Sequence, residues 1–131
     1  MGRRFGKNIA RRLIQKFENY RLPDGLSAGD ICSIESGSGG FGIVKILALE
    51  PGTVHIRLYK EKFASRPDLI DATGLSLGTV HDEDGFGIGH LPLSARNFAH
   101  WEPMIIGHEE VSPEELEGYN LWKESGGGVW G

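Results

Sequence analysis

The stretch FGIVKILALEPGTVHIRLYKEKF, residues 41–63, decides the fold. Its second half alternates: Val54, Ile56 and Leu58 fall on one side of an extended chain, and His55, Arg57 and Tyr59 on the other. Its first half, residues 41–50, is an apolar run rich in β-branched residues. Pro51-Gly52 divides the two halves, and a two-residue break ending in glycine joins neighbouring strands as an antiparallel hairpin. The stretch therefore predicts two long, paired strands at the centre of a sheet.

Immediately upstream, GSGGFGIVK (37–45) fits the glycine-rich phosphate loop of protein kinases. In such a loop backbone N–H groups cradle phosphates, and a lysine reaches them from the next strand. Here Lys45 directly follows Val44 on the same strand, and no His-Arg-Asp segment follows. DGFG (84–87) has only the outline of a metal-binding Asp-Phe-Gly, and 131 residues fall well short of a kinase. The glycines read instead as a turn between DICSIES (30–36) and the strand that begins at Phe41.

Downstream, residues 64–74 read as a loop with room for a short helix, and strands are predicted at 75–80, 86–94 and 104–111. Pro92 places the second of these at a sheet edge or strand end, because proline has no N–H for the ladder. HDEDG (81–85) is an acidic turn. Its spacing fails as a calcium loop, since Val80 and Leu91 would stand where ligands are needed. Residues 4–20 predict an amphipathic helix, with Phe5, Ile9, Leu13, Phe17 and Tyr20 on one stripe and Arg4, Lys7 and Arg11 opposite. A second helix is expected over 112–125. Ser112 is its cap, Pro113 its first residue and Glu115 the other half of a capping box; Leu116, Tyr119 and Trp122 form its apolar stripe. Gly126–Gly128 end it and leave a short tail, 126–131, carrying Val129 and Trp130.

These elements predict one α+β domain over 1–131. A twisted antiparallel sheet of five or six strands, open or rolled into a small SH3-like barrel, occupies 28–111 between an N-terminal helix (1–21) and a C-terminal helix (112–125). Cys32, the only cysteine, cannot form an internal disulfide and reads as a small core residue, which fits a reduced, cytoplasmic setting. No apolar run is long enough for a membrane span.

Charge narrows the partner. The net charge is −4, but residues 1–21 hold seven Lys/Arg against Glu18 alone, while the remaining chain holds 7 basic and 17 acidic residues. A body this acidic repels phosphate backbones. Nucleic-acid binding, the first alternative function, would rest on Arg3, Arg4, Lys7, Arg11 and Arg12. The acidic body suits a basic protein partner, with Asp82, Glu83 and Asp84 at one loop tip as contacts. HLPLSARNFAHWEPMIIG (90–107) is the densest aromatic segment, and Trp101 within it is the candidate anchor. Enzymatic chemistry has little support. No nucleophile elbow is present, and His55, His81, His90, His100 and His108 show no metal-binding spacing. No cofactor or metal is expected; a dispersed His/carboxylate site is the second alternative.

Gly29-Asp30-Ile31, the glycine-rich hairpin into Phe41-Gly42-Ile43-Val44, and Trp101 followed by Pro103 and Ile105-Ile106-Gly107 together resemble the pattern of the immunity protein 26 family of bacterial polymorphic toxin systems. The resemblance covers residues 28–111. It implies a non-catalytic cytoplasmic binder that neutralises a toxin made by the same cell.

Overall fold

The computed structural model describes residues 21–37, 39–70, 74–79, 81 and 85–129. Five strands and two helices follow in the order β1 (Asp30–Glu35), β2 (Phe41–Glu50), β3 (Thr53–Phe63), β4 (Ile88–Ser94), α1 (Ala95–Ala99), β5 (Met104–His108) and α2 (Glu117–Glu124). All pairings are antiparallel, and the strands lie side by side as β4-β3-β2-β1-β5. This is an α+β fold with an open sheet, without the β4–β5 pairing that would close a barrel. The expected N-terminal helix lies outside the described residues.

Both hairpins form where the glycines predict them. Ser36 N–H donates to Gly40 O at 2.9 Å, Gly39 takes φ 90°, and Glu35 pairs with Phe41. Gly52 takes φ 77°, and Glu50 pairs with Thr53 across the second turn. Positive φ is nearly free for glycine and costly for other residues, so these positions set the register of three strands. Pro92 sits on β4, an edge strand, opposite His55. Residues 75–79 do not join the sheet as a strand. They run beside β3, where Ser76 O accepts from Lys60 N–H at 2.9 Å and both carboxylate oxygens of Glu61 hold Ser76.

The sheet is buried on both faces, which explains why 41–50 reads as a continuous apolar run rather than an alternating one. One face carries Cys32, Ile34, Val44, Ile46, Val54, Ile56, Leu91 and Leu93, sealed by Phe98 of α1 and by Leu22, Leu26 and Trp101. The other carries Ile31, Ile43, Tyr59 and Ile106, covered by Phe63, Ile70, Leu75 and Leu77. Lys45, Arg57, His55 and His90 also point to this second face, because strand alternation assigns them there. The C-terminal segment lies over them.

That segment differs from the expected single helix. The Ser112–Glu115 capping box is present: Ser112 N–H donates to Glu115 Oε1 at 2.9 Å, and Glu115 N–H donates to Ser112 Oγ at 3.3 Å. The turn that it caps closes with three-residue bonds from Glu115, Leu116 and Glu117 back to Ser112, Pro113 and Glu114, so α-helical geometry begins only at Glu117. The far end is closed by Gly126 (φ 95°) and Gly127 (φ 72°). Gly127 N–H reaches Trp122 O at 2.9 Å, and Gly126 N–H reaches Lys123 O at 3.2 Å, the paired bonds of a glycine-terminated helix.

Candidate binding surface

Trp101 owes its position to the short helix before it. Ser94 Oγ accepts from Asn97 N–H at 3.0 Å and starts α1; Phe98 then buries completely and anchors it. Trp101 N–H closes on Phe98 O at 3.0 Å, and its ring meets Phe98 edge-on at 6.0 Å. Trp101 O accepts from Glu35 N–H at 2.9 Å, tying the corner to the end of β1. The indole is half-buried: one side seals the core, and the other lines a cleft of about 450 Å³ with Ile34, Leu58 and Gly42, rimmed by Glu35, Lys62 and His100. Phe98, by contrast, is wholly internal.

From this cleft, β5 runs along the sheet edge. Met104 is 53% and Ile105 39% exposed, unusually high for side chains of this kind on a strand. Four residue steps, about 13 Å, separate Met104 from His108, whose Nδ1 lies 2.8 Å from Asp30 Oδ1. Glu109 and Glu110 follow directly, both exposed, before the chain crosses the sheet through Glu115 beside Lys45 to Gly118 beside His90 on β4. The Glu110 side chain is 98% exposed. One described edge of the molecule thus carries an aromatic cleft, an apolar strand and a group of carboxylates in succession.

Asp82, Glu83 and Asp84 lie outside the described residues, so of the four predicted contacts Trp101 is the one whose surroundings are defined. The acids beside β5 were not singled out from the sequence. Their signal was the capping box: a segment rich in glutamate that must start a helix leaves carboxylates facing outward.

Behind this edge lies a buried charge. Lys45 is fully buried at the middle of β2. Its Nζ donates to Glu109 Oε1 at 2.8 Å, Glu110 O at 3.0 Å and Glu115 Oε1 at 3.0 Å. Three donors meet three acceptors, which is what an interior ammonium requires. Burial pushes Glu115 up, but the Ser112 N–H and the Lys45 ammonium outweigh it and hold the carboxyl below its ordinary value. Burial, then Glu115, pushes the neighbouring Tyr59 hydroxyl up to about 12. Lys45 thereby fastens the acidic segment to the sheet and fixes where its carboxylates emerge.

Two of the five histidines converge. His55, fully buried, lies 3.0 Å from His90 through Nδ1 and 2.9 Å from Glu50 through Nε2. His81 and His100 are exposed elsewhere, and His108 is engaged with Asp30. Among the described residues no three His, Cys, Asp or Glu side chains are grouped to hold a metal ion. Cys32 is fully enclosed, and burial followed by the charge of Asp30 pushes its thiol up to about 12, so it cannot serve as a thiolate nucleophile in the folded chain. No helix among the described residues is long and apolar enough to cross a membrane.

Compared with models of known protein families, with curated proteins and with solved structures, the chain matches none.

Proposed function

We propose that this chain is a non-enzymatic binding protein that captures a basic protein partner along the β5 edge, in the toxin-neutralising role that the resemblance to immunity protein 26 implies. One observation carries the reading: the half-buried Trp101, the exposed Met104 and Ile105, and the carboxylates of Glu109 and Glu110 follow one another along one edge. An aromatic side chain seated beside a cleft supplies an anchor, and carboxylates at the rim speed and orient the approach of a cation-rich surface. Occlusion needs no chemistry from the binder, which agrees with a buried cysteine and a histidine pair shielded by α2.

The test is co-expression with the product of the neighbouring gene, followed by titration of the purified pair at low and high salt. A tight complex is expected, with protection of the host cell. Trp101→Ala should weaken it through faster dissociation, by about 2 kcal/mol or more. Glu110→Lys, at a fully solvated position, should chiefly slow association and reduce its salt dependence. Absence of a complex together with absence of protection would remove the proposal.

A further inference from the structure

The sheet face beneath α2 carries a chain of groups that the binding surface does not use. Glu50 ends β2, His55 lies on β3, His90 on β4 and Tyr119 on α2. Glu50 Oε1 meets His55 Nε2 at 2.9 Å, and Tyr119 O–H donates to Glu50 Oε2 at 2.9 Å. The hydrogen bond from His55, then that from Tyr119, hold the Glu50 carboxyl below its ordinary value, so it is ionised and only accepts. His55 Nε2 therefore carries a hydrogen. In the neutral pair His55 Nδ1 is bare and accepts from His90 Nε2–H at 3.0 Å, which leaves His90 Nδ1 as the open position.

One added proton fits this chain. A single N–H still lies between the rings, and Glu50 balances the charge. A second proton does not fit, because both facing nitrogens would then bear hydrogen at 3.0 Å. We infer that Glu50, His55, His90 and Tyr119 form a proton-operated latch, which holds α2 on the sheet until the histidine pair is doubly protonated. The strain of the second proton has one outlet. His55 is edged by the rings of Tyr119 at 4.6 Å and Trp122 at 4.4 Å. Gly118 lies so close to His90 that a Cβ there would stand 2.7 Å from His90 Cβ. Both histidine rings thus abut Tyr119 and Trp122, so a displacement that separates them presses on α2, of which no residue is fully buried.

Lys123 of α2 stands 5.2 Å over the Tyr119 ring, where its charge favours the ionised Glu50, and Arg57 of β3 is turned to Glu115, its Nε at 3.7 Å. Burial, then the charge of His55, lowers His90 below its ordinary 6.5. The folded state thus binds fewer protons than the unfolded one. The latch's contribution is complete above pH 6.5 and is lost as pH falls from there through the lowered folded value.

Amide hydrogen exchange on the full chain, compared between about pH 7.5 and pH 5 after correction for intrinsic rates, tests this. Residues 119–124 should lose protection by about tenfold per pH unit below the ordinary histidine value, while β2 and β3 keep theirs. Equal change in α2 and β2 would overturn the latch. His90→Gln keeps an N–H toward His55 but cannot titrate, and its α2 protection should be flat with pH; a response matching the parent's would overturn it. Should that variant fail to fold, nuclear magnetic resonance of the parent decides. Coupled, two-step titration of the His55 and His90 rings supports the latch, and two independent ordinary titrations refute it.

Discussion

Replacing Lys45 by methionine removes the ammonium and keeps most of the side-chain volume. At 2.8 and 3.0 Å from Glu109 and Glu115, and with an effective dielectric near 20, each contact contributes about 5–6 kcal/mol of Coulomb energy. Removing the ammonium from water costs several kcal/mol, so the net worth is much smaller than the sum. What remains in the variant decides the outcome. Glu109, with a side chain 45% exposed, can turn to solvent. Glu115, at 14%, cannot, and keeps the Ser112 N–H and the looser ion pair with Arg57 at 3.7 Å. An uncompensated interior charge costs about 3–5 kcal/mol, and relaxation of Glu109 places this case near 3. Urea unfolding followed by tryptophan emission should show that loss. The second substitution, Glu115→Gln, should then return about 1–2 kcal/mol, because the amide still accepts from Ser112 without a charge to strand. A Lys45→Met variant within 1 kcal/mol of the parent, or a double variant weaker than the single, would refute the reasoning.

Four further outcomes are expected. Cys32 should resist thiol reagents in the native protein at pH 8 and react at once in denaturant, as its thiol, pushed up to about 12, carries almost no thiolate. Gly40→Ala should destabilise by about 1–3 kcal/mol in thermal melts, because the new Cβ would meet Phe63 O at 2.9 Å and backbone cannot step aside easily. Gly126→Ala meets nothing within 4 Å, so its cost should be the left-handed conformation alone, about 1 kcal/mol, read as faster amide exchange in α2. On acidification, Glu115 contributes stability fully above 4.5 and loses it as pH falls through its lowered folded value; Glu115→Gln should flatten that part of the pH–stability curve.

The strands were legible because their signals are local. Alternation in 53–63, the glycine turns and Pro92 each constrain the backbone within a few residues. The strand predicted at 75–80 reads the same way, yet 75–79 lie beside β3 and give their leucines to the core. Apolar alternation reports burial, not pairing. The burial of Lys45 was not legible, since its partners lie far along the chain: Glu109 and Glu115 stand 64 and 70 residues beyond it. A lysine inside an unbroken apolar strand does imply that both faces are covered and that an acid must meet it, but not which acid. Trp101 stands out in the sequence as an aromatic anchor, but its division of labour with the fully buried Phe98 depends on tertiary packing that no local signal carries. The loop tip 82–84 stands out in the sequence by charge alone and lies outside the described residues, whereas Glu109 and Glu110 beside β5 carry no such run of acids.

The clip at Lys45 also bears on synthesis. A nascent chain that has released only β1 to β4 possesses the ammonium at the heart of its sheet without the acids that neutralise it, and lacks the outer neighbour of β1. Such a fragment has every reason to stay loose on the ribosome. Residues 104–115, once clear of the exit tunnel, supply the missing strand and the missing counter-charges together.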